Sequence, residues 1–263
     1  MKSKFAAAAA IAALASSAAL AVPGTVKTAT ETKTGDVKWN RVSKEYAVTV
    51  KKGGASMTFT YALAEVVDLD VQKPANYDAL VAAVERGRGA GAVLDLAGIV
   101  QGYKMLKWDK PAARWLVEAH LQANDPQKAF EAAQAIVAEE KSYAYVGDFA
   151  PAYWKVLLKL GKHQQLENCL KKAAASGDRA SSANALVMRG DVIIANGGDK
   201  AETYRKALVD GYLRVALMCK DAPCAAARAV ALEKCAFCFD KMGWAARAEE
   251  MRAEATRVAP SAK

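Results

Sequence analysis

The sequence predicts a mainly α fold, an α-solenoid of about five helix-turn-helix units preceded by a small antiparallel β domain, and three observations carry that prediction. Between Gly35 and Gln72 apolar residues recur at every second position, the period of a half-buried strand. From Pro74 onward the chain is rich in Ala, Leu, Glu and Lys, residues that favour helix. Within that region the turn residues Gly87, Asn124, Gly161 and Gly198 stand 37 residues apart, and a repeat of this length marks stacked supersecondary units.

Taken in order, the first segment has the three parts of a secretory signal: Lys2-Ser3-Lys4, an Ala-rich apolar run, and Ala19-Leu20-Ala21 as a small-residue cleavage pattern. The expectation is a signal peptide over 1–21, a mature chain starting at Val22 without a membrane-spanning segment, and a periplasmic or secreted location. Residues 22–34, small and polar without a hydrophobic period, read as a flexible leader. The β domain, 35–72, takes Trp39, then Tyr46, Val48 and Val50, then Met57, Phe59 and Tyr61, then Val67, Leu69 and Val71 as its inward-facing sets, with Lys51-Lys52-Gly53-Gly54 as a hairpin turn. An SH3-like barrel and a meander both fit four short strands, and so small a core should lean on the helices that follow. The solenoid, 75–260, has its fifth turn at Gly243, 45 residues after the fourth, which implies an inserted turn or two of helix. Asp125 before Pro126, and Asp199, read as helix N-caps.

The last unit resembles the tetratricopeptide (TPR) repeat family, with Leu232, Ala236 and Phe239 on its first helix, Gly243 at the turn, Ala248 and Ala255 on its second, and Pro260 ending it. The third unit keeps Leu157, Leu160-Gly161-Lys162, Leu166 and Ala173, and the second keeps Trp115, Leu121, Ala129 and Ile136 in a looser register, with bulky Val117 where a small residue is expected. The resemblance spans roughly 75–260 and implies an exported bacterial chain of this fold, with a concave groove lined by the first helix of each unit that receives a peptide or protein. Arg114 and Glu118 on one such helix, and Lys155 and Lys159 on the next, are spaced to share a face, and the resemblance turns those faces into the groove, where the basic residues could clamp a partner's carboxylate.

Other motifs fall short of chemistry. Gly87-Arg88-Gly89-Ala90-Gly91 lacks the preceding strand and the Lys-Ser/Thr pair of a phosphate loop. His120 and His163 have no Cys or carboxylate at metal-ligand spacing, and Ser176, Ser181 and Ser182 lie outside any nucleophile turn. Five cysteines remain. Cys224 and Cys235 would lie about 16 Å apart along one helix at roughly 1.5 Å per residue, too far to share one zinc ion. Cys235 and Cys238 read as buried core residues. Cys219 and Cys224 flank a turn, and in an oxidising compartment they are expected to form a disulfide. Trp108, Trp115, Trp154 and Trp244 read as packing residues rather than as a stacking groove. Asp210-Gly211-Tyr212-Leu213-Arg214 breaks a helix, and Gly211 permits a bend there.

Removing Lys2 and Lys4 with the signal lowers the formal charge from +9 to +7, which favours acidic partners or simply keeps the chain soluble. Export removes nucleic acid as a target. The sequence thus reads as a non-catalytic scaffold for a peptide or protein, without metal or cofactor. The alternative is an envelope structural or polyanion-binding protein, and an enzyme ranks third because no acid, base and nucleophile set is present.

Overall fold

A computed structural model describes residues 21–259. The expected signal peptide lies outside the described residues except for Ala21, and so does Pro260. The chain forms two compact units, one holding the residues through Lys73 together with Gln101–Asp109, the other Pro74–Val100 together with Lys110 onward. Among the described residues no helix is long and apolar enough to cross a membrane.

The first unit is an antiparallel sheet of β1 (Val22–Thr28), β2 (Thr32–Asn40), β3 (Glu45–Lys52), β4 (Ala55–Ala62) and β5 (Val66–Val71), in the order β4-β3-β2-β1-β5. Residues 22–34, read from sequence as a flexible leader, are instead β1 and the start of β2, so the sheet begins at Val22 and not near Gly35. Val22 and Val26 are buried, while Thr25 and Thr34 exchange a cross-strand hydroxyl hydrogen bond of 2.9 Å. Threonine is polar yet β-branched, so it holds strand without advertising a hydrophobic period. The expected Gly53-Gly54 turn is a two-residue hairpin loop, both glycines at positive φ (57° and 84°), with Lys52 facing Ala55. Met57 and Val67 depart from their predicted inward sets: Met57 is 61% exposed near the hairpin end of β4, and β1 and β5 shift register between Lys27 and Thr28 so that Val67 turns outward, 68% exposed, while Val66, Leu69 and Val71 pack on the core.

Gln101–Asp109 completes this unit. Leu106 is buried with Val26, Val37 and Val48, Tyr46 donates its hydroxyl to the Met105 carbonyl at 2.9 Å, and Trp108 Nε1 donates to the Val71 carbonyl at 3.1 Å. Asp109, itself buried, accepts the Met105 N–H at 2.9 Å and so fixes a segment in which Met105 and Lys107 both have positive φ.

The second unit is helical: α1 (Tyr77–Glu85), α2 (Val93–Gly102), α3 (Asp109–Gln122), α4 (Pro126–Glu139), α5 (Ala150–Lys159), α6 (His163–Ala175), α7 (Arg179–Gly197), α8 (Ala201–Ala207), α9 (Leu213–Met218), α10 (Ala225–Lys241) and α11 (Ala245–Val258), with the end of α2 and the first residue of α3 belonging to the first unit. The turns between α1 and α2, α3 and α4, α5 and α6, α7 and α8, and α10 and α11 fall on Gly87, Asn124, Gly161, Gly198 and Gly243, all at positive φ. At Gly161 the cap is a Schellman motif: its N–H donates to the Leu158 carbonyl at 3.0 Å and that of Lys162 to Leu157 at 2.8 Å. The same pair of bonds recurs at Gly87, Asn124 and Gly243. Asp125 caps α4 by accepting the Lys128 N–H at 3.1 Å. Asp199 does not cap α8; it accepts the Tyr204 hydroxyl at 2.6 Å and the Lys241 ammonium at 3.3 Å.

Two apolar clusters fill this unit and α7 joins them, giving Ala185 and Met188 to one and Ala183 and Val187 to the other. The inserted length before Gly243 contains a π-helical turn, Leu208–Tyr212, between α8 and α9. Gly211 lies there against α7, with no room for a side chain: a Cβ would stand 2.8 Å from Gly190 N.

Candidate binding groove

Helices α3, α5, α7 and α10 each follow a different turn-bounded segment, and one face of each borders a common groove of about 360 Å³. Small and apolar residues form its floor, among them Pro151, Ala152, Val187, Met188, Ala227 and Val230. Charged residues stand around them: Arg114 and Glu118 from α3, Asp148 from the segment before α5, Lys155 from α5, Asp191 from α7 and Lys234 from α10.

These charges are ordered in pairs. Lys155 Nζ donates to Glu118 Oε1 at 2.5 Å, and Lys234 Nζ donates to Asp191 Oδ1 at 2.8 Å. Glu118 and Lys155 are 37 residues apart and so occupy equivalent places in successive repeats. Asp191 also accepts the hydroxyl of fully buried Tyr212 at 2.7 Å, which ties the groove to the π turn. Burial, followed by the Asp191 charge, raises the Tyr212 pKa far above the ordinary phenol range. The Arg114 guanidinium lies 4.7 Å over the Trp115 ring and stays half-exposed at the groove edge.

Of the four groove residues singled out in the sequence, Arg114, Glu118 and Lys155 line it, while Lys159 is exposed and is not among its lining residues. Asp148, Asp191 and Lys234 were missed. A 37-residue shift from Lys155 would have pointed to Val192, one residue from Asp191, but the longer spacing before Gly243 hides Lys234. The basic set proposed as a clamp is therefore divided: the Lys155 ammonium is held by Glu118, and the Arg114 guanidinium lines the groove while lying over Trp115.

The expected Cys219–Cys224 disulfide is not formed in this structure, where all five cysteines are free thiols and the Cys219 and Cys224 side chains are neighbours. Cys224 is buried just ahead of α10, where its Sγ donates to Asp221 Oδ2 at 3.7 Å. The tryptophans do not share a groove. Trp154 is fully buried with Nε1 donating to the Ala144 carbonyl at 2.8 Å, Trp108 belongs to the sheet unit, and Trp244 stacks on Phe239 at 5.8 Å. His120 is half-buried and desolvation lowers its pKa, while His163 begins α6. Among the described residues no group of three or more His, Cys, Asp or Glu could hold a metal ion.

No protein-family model and no curated protein matches the chain. Two crystal structures of nearly identical TPR-like repeats from a Podosopora anserina kinesin light chain are similar in structure. One has 16% identity and a TM-score of 0.40, the other 15% and 0.41, each alignment covering 70% of this chain and 92% of that chain.

Proposed function

We propose that this chain is a non-catalytic interaction scaffold, a TPR-like solenoid of five helical hairpins, that holds a segment of a protein partner in the groove bordered by α3, α5, α7 and α10. The observation that carries the reading is the lining itself. Four helices, each the first of its hairpin, contribute small or apolar floor residues and a charged rim to one channel. Such a channel suits an extended chain: apolar side chains rest on Val187, Met188 and Val230, and an acidic residue of the partner reaches Arg114. The Glu118–Lys155 and Asp191–Lys234 pairs preorganise the rim, so the partner does not meet a field of one sign. The basic start, apolar run and small-residue site of the first 21 residues support export, which puts the partner in the periplasm or outside the cell.

The test is the double variant Arg114→Glu with Val230→Asp. Both side chains have solvent access, so the melting temperature should stay close to that of the parent. Capture of the partner by crosslinking in intact cells should fall at least about tenfold, roughly 1.4 kcal/mol. Undiminished capture by the folded variant would move the binding surface off this groove.

A further inference from the structure

A second cavity, of about 470 Å³, lies within the helical unit between α6, α7 and the π turn that leads into α9. The two helices meet it with matching stripes. His163, Leu166, Glu167 and Leu170 on α6 follow the spacing of one helical face, and Arg189, Val192, Ile193 and Asn196 on α7 repeat it. This is a different face of α7 from the one that offers Asn184, Val187, Met188 and Asp191 to the groove.

The cavity has an apolar floor and a charged mouth. Leu166 and Leu170 are almost fully buried, and Val192 and Ile193 are half-exposed beside them. At the mouth, Glu167 is already balanced, 4.0 Å from Arg189 and 3.7 Å from Lys171. Asp210 and Arg214 are both exposed, and neither forms an ion pair with another described residue. They reach this position through the π turn, which itself requires the contact between Gly211 and Gly190. π turns inside helices are uncommon and concentrate at functional sites. Here the turn sets one cation and one anion over an apolar pocket.

We propose that this pocket binds a small zwitterion with an apolar body, of the size and chemistry of a free apolar amino acid, its carboxylate on Arg214 and its ammonium on Asp210. The guanidinium supplies a planar two-donor fork for a carboxylate, and the Asp210 carboxylate accepts from the ammonium. The side chain of the ligand then rests on Leu166, Leu170, Val192 and Ile193. This site shares no lining residue with the groove, and partner capture remains the separate readout of the scaffold function.

Calorimetric titration of the full chain with L-leucine and L-phenylalanine tests it, with N-acetyl-L-leucine, which lacks the ammonium, and L-leucinamide, which lacks the carboxylate, as paired probes. Both amino acids should bind, and each blocked analogue should bind at least about tenfold more weakly. Arg214→Gln and Asp210→Asn, at exposed positions, should each weaken leucine binding by a similar factor while leaving the melting temperature unchanged. No heat with any amino acid up to about 10 mM would overturn the proposal. So would N-acetyl-L-leucine binding as tightly as leucine, or both folded variants binding leucine as the parent does.

Discussion

Burial decides the chemistry of the thiols one residue at a time. Cys224, Cys235 and Cys238 have essentially no exposed surface, and desolvation pushes Cys235 up to about 12 and Cys224 and Cys238 up to about 11. Cys169 is buried and raised for the same reason, whereas Cys219 is half-exposed. The thiolate is the form that alkylates, so both access and ionisation protect the buried four. Iodoacetamide at about pH 8 should label the native chain at Cys219 alone and label all five after unfolding, with peptide mapping as the measurement. Native labelling of Cys235 or Cys238 would contradict the packing of α10. At this scale the sequence reveals Cys235 and Cys238 as core, because they fall among Ala and Phe at helical spacing. It does not reveal the state of Cys224: two thiols across a short turn look like a disulfide, whereas in the fold Cys224 is a buried free thiol that neighbours both Cys219 and Asp221.

The hairpin turns are the most legible elements, because the left-handed backbone of a helix C-cap has few tenants and Gly and Asn declare it at a fixed spacing. β1 is hidden by its threonines, and the π turn by the absence of any residue code for an extra backbone unit. Gly211 hints at the latter, but the reason for it lies across the interface, in Gly190 on α7. A Cβ on Gly211 would meet backbone atoms, Gly190 N at 2.8 Å and Gly190 Cα at 2.9 Å, which cannot rotate away. Gly211→Ala should therefore destabilise the chain by about 1–3 kcal/mol, as overpacking does. Gly98 is exposed within α2, and a Cβ there meets nothing within 4 Å. Gly98→Ala should accordingly stabilise by roughly 0.5–1 kcal/mol through helix propensity alone. Urea denaturation of both variants reads the opposite signs, and equal effects would refute the close approach of α7 and the π turn.

At the scale of the whole molecule the sequence discloses the helical majority and the β domain ahead of it, but not that Gln101–Asp109 is part of the sheet unit. A reading along the chain assumes contiguous domains, and nothing in the short stretch around Leu106 distinguishes a helix-to-helix connection from a piece of another core. The groove was legible as far as the repeat held its period: Arg114, Glu118 and Lys155 follow from the 37-residue spacing, and Lys234 does not, since it lies beyond the π-turn insertion. The central claim is that the partner occupies the groove bordered by α3, α5, α7 and α10. Ala226 and Val230, both exposed on α10, line the groove, whereas Leu94 on α2 is 85% exposed and is not among its lining residues. The direct measurement places a photo-crosslinking amino acid at each of these three positions in turn, in intact cells. The account predicts that Ala226 and Val230 yield the same covalent partner, that Leu94 does not, and that Arg114→Glu reduces both adducts; adducts from Leu94 alone, or from Ala226 and Val230 unaffected by Arg114→Glu, would contradict it.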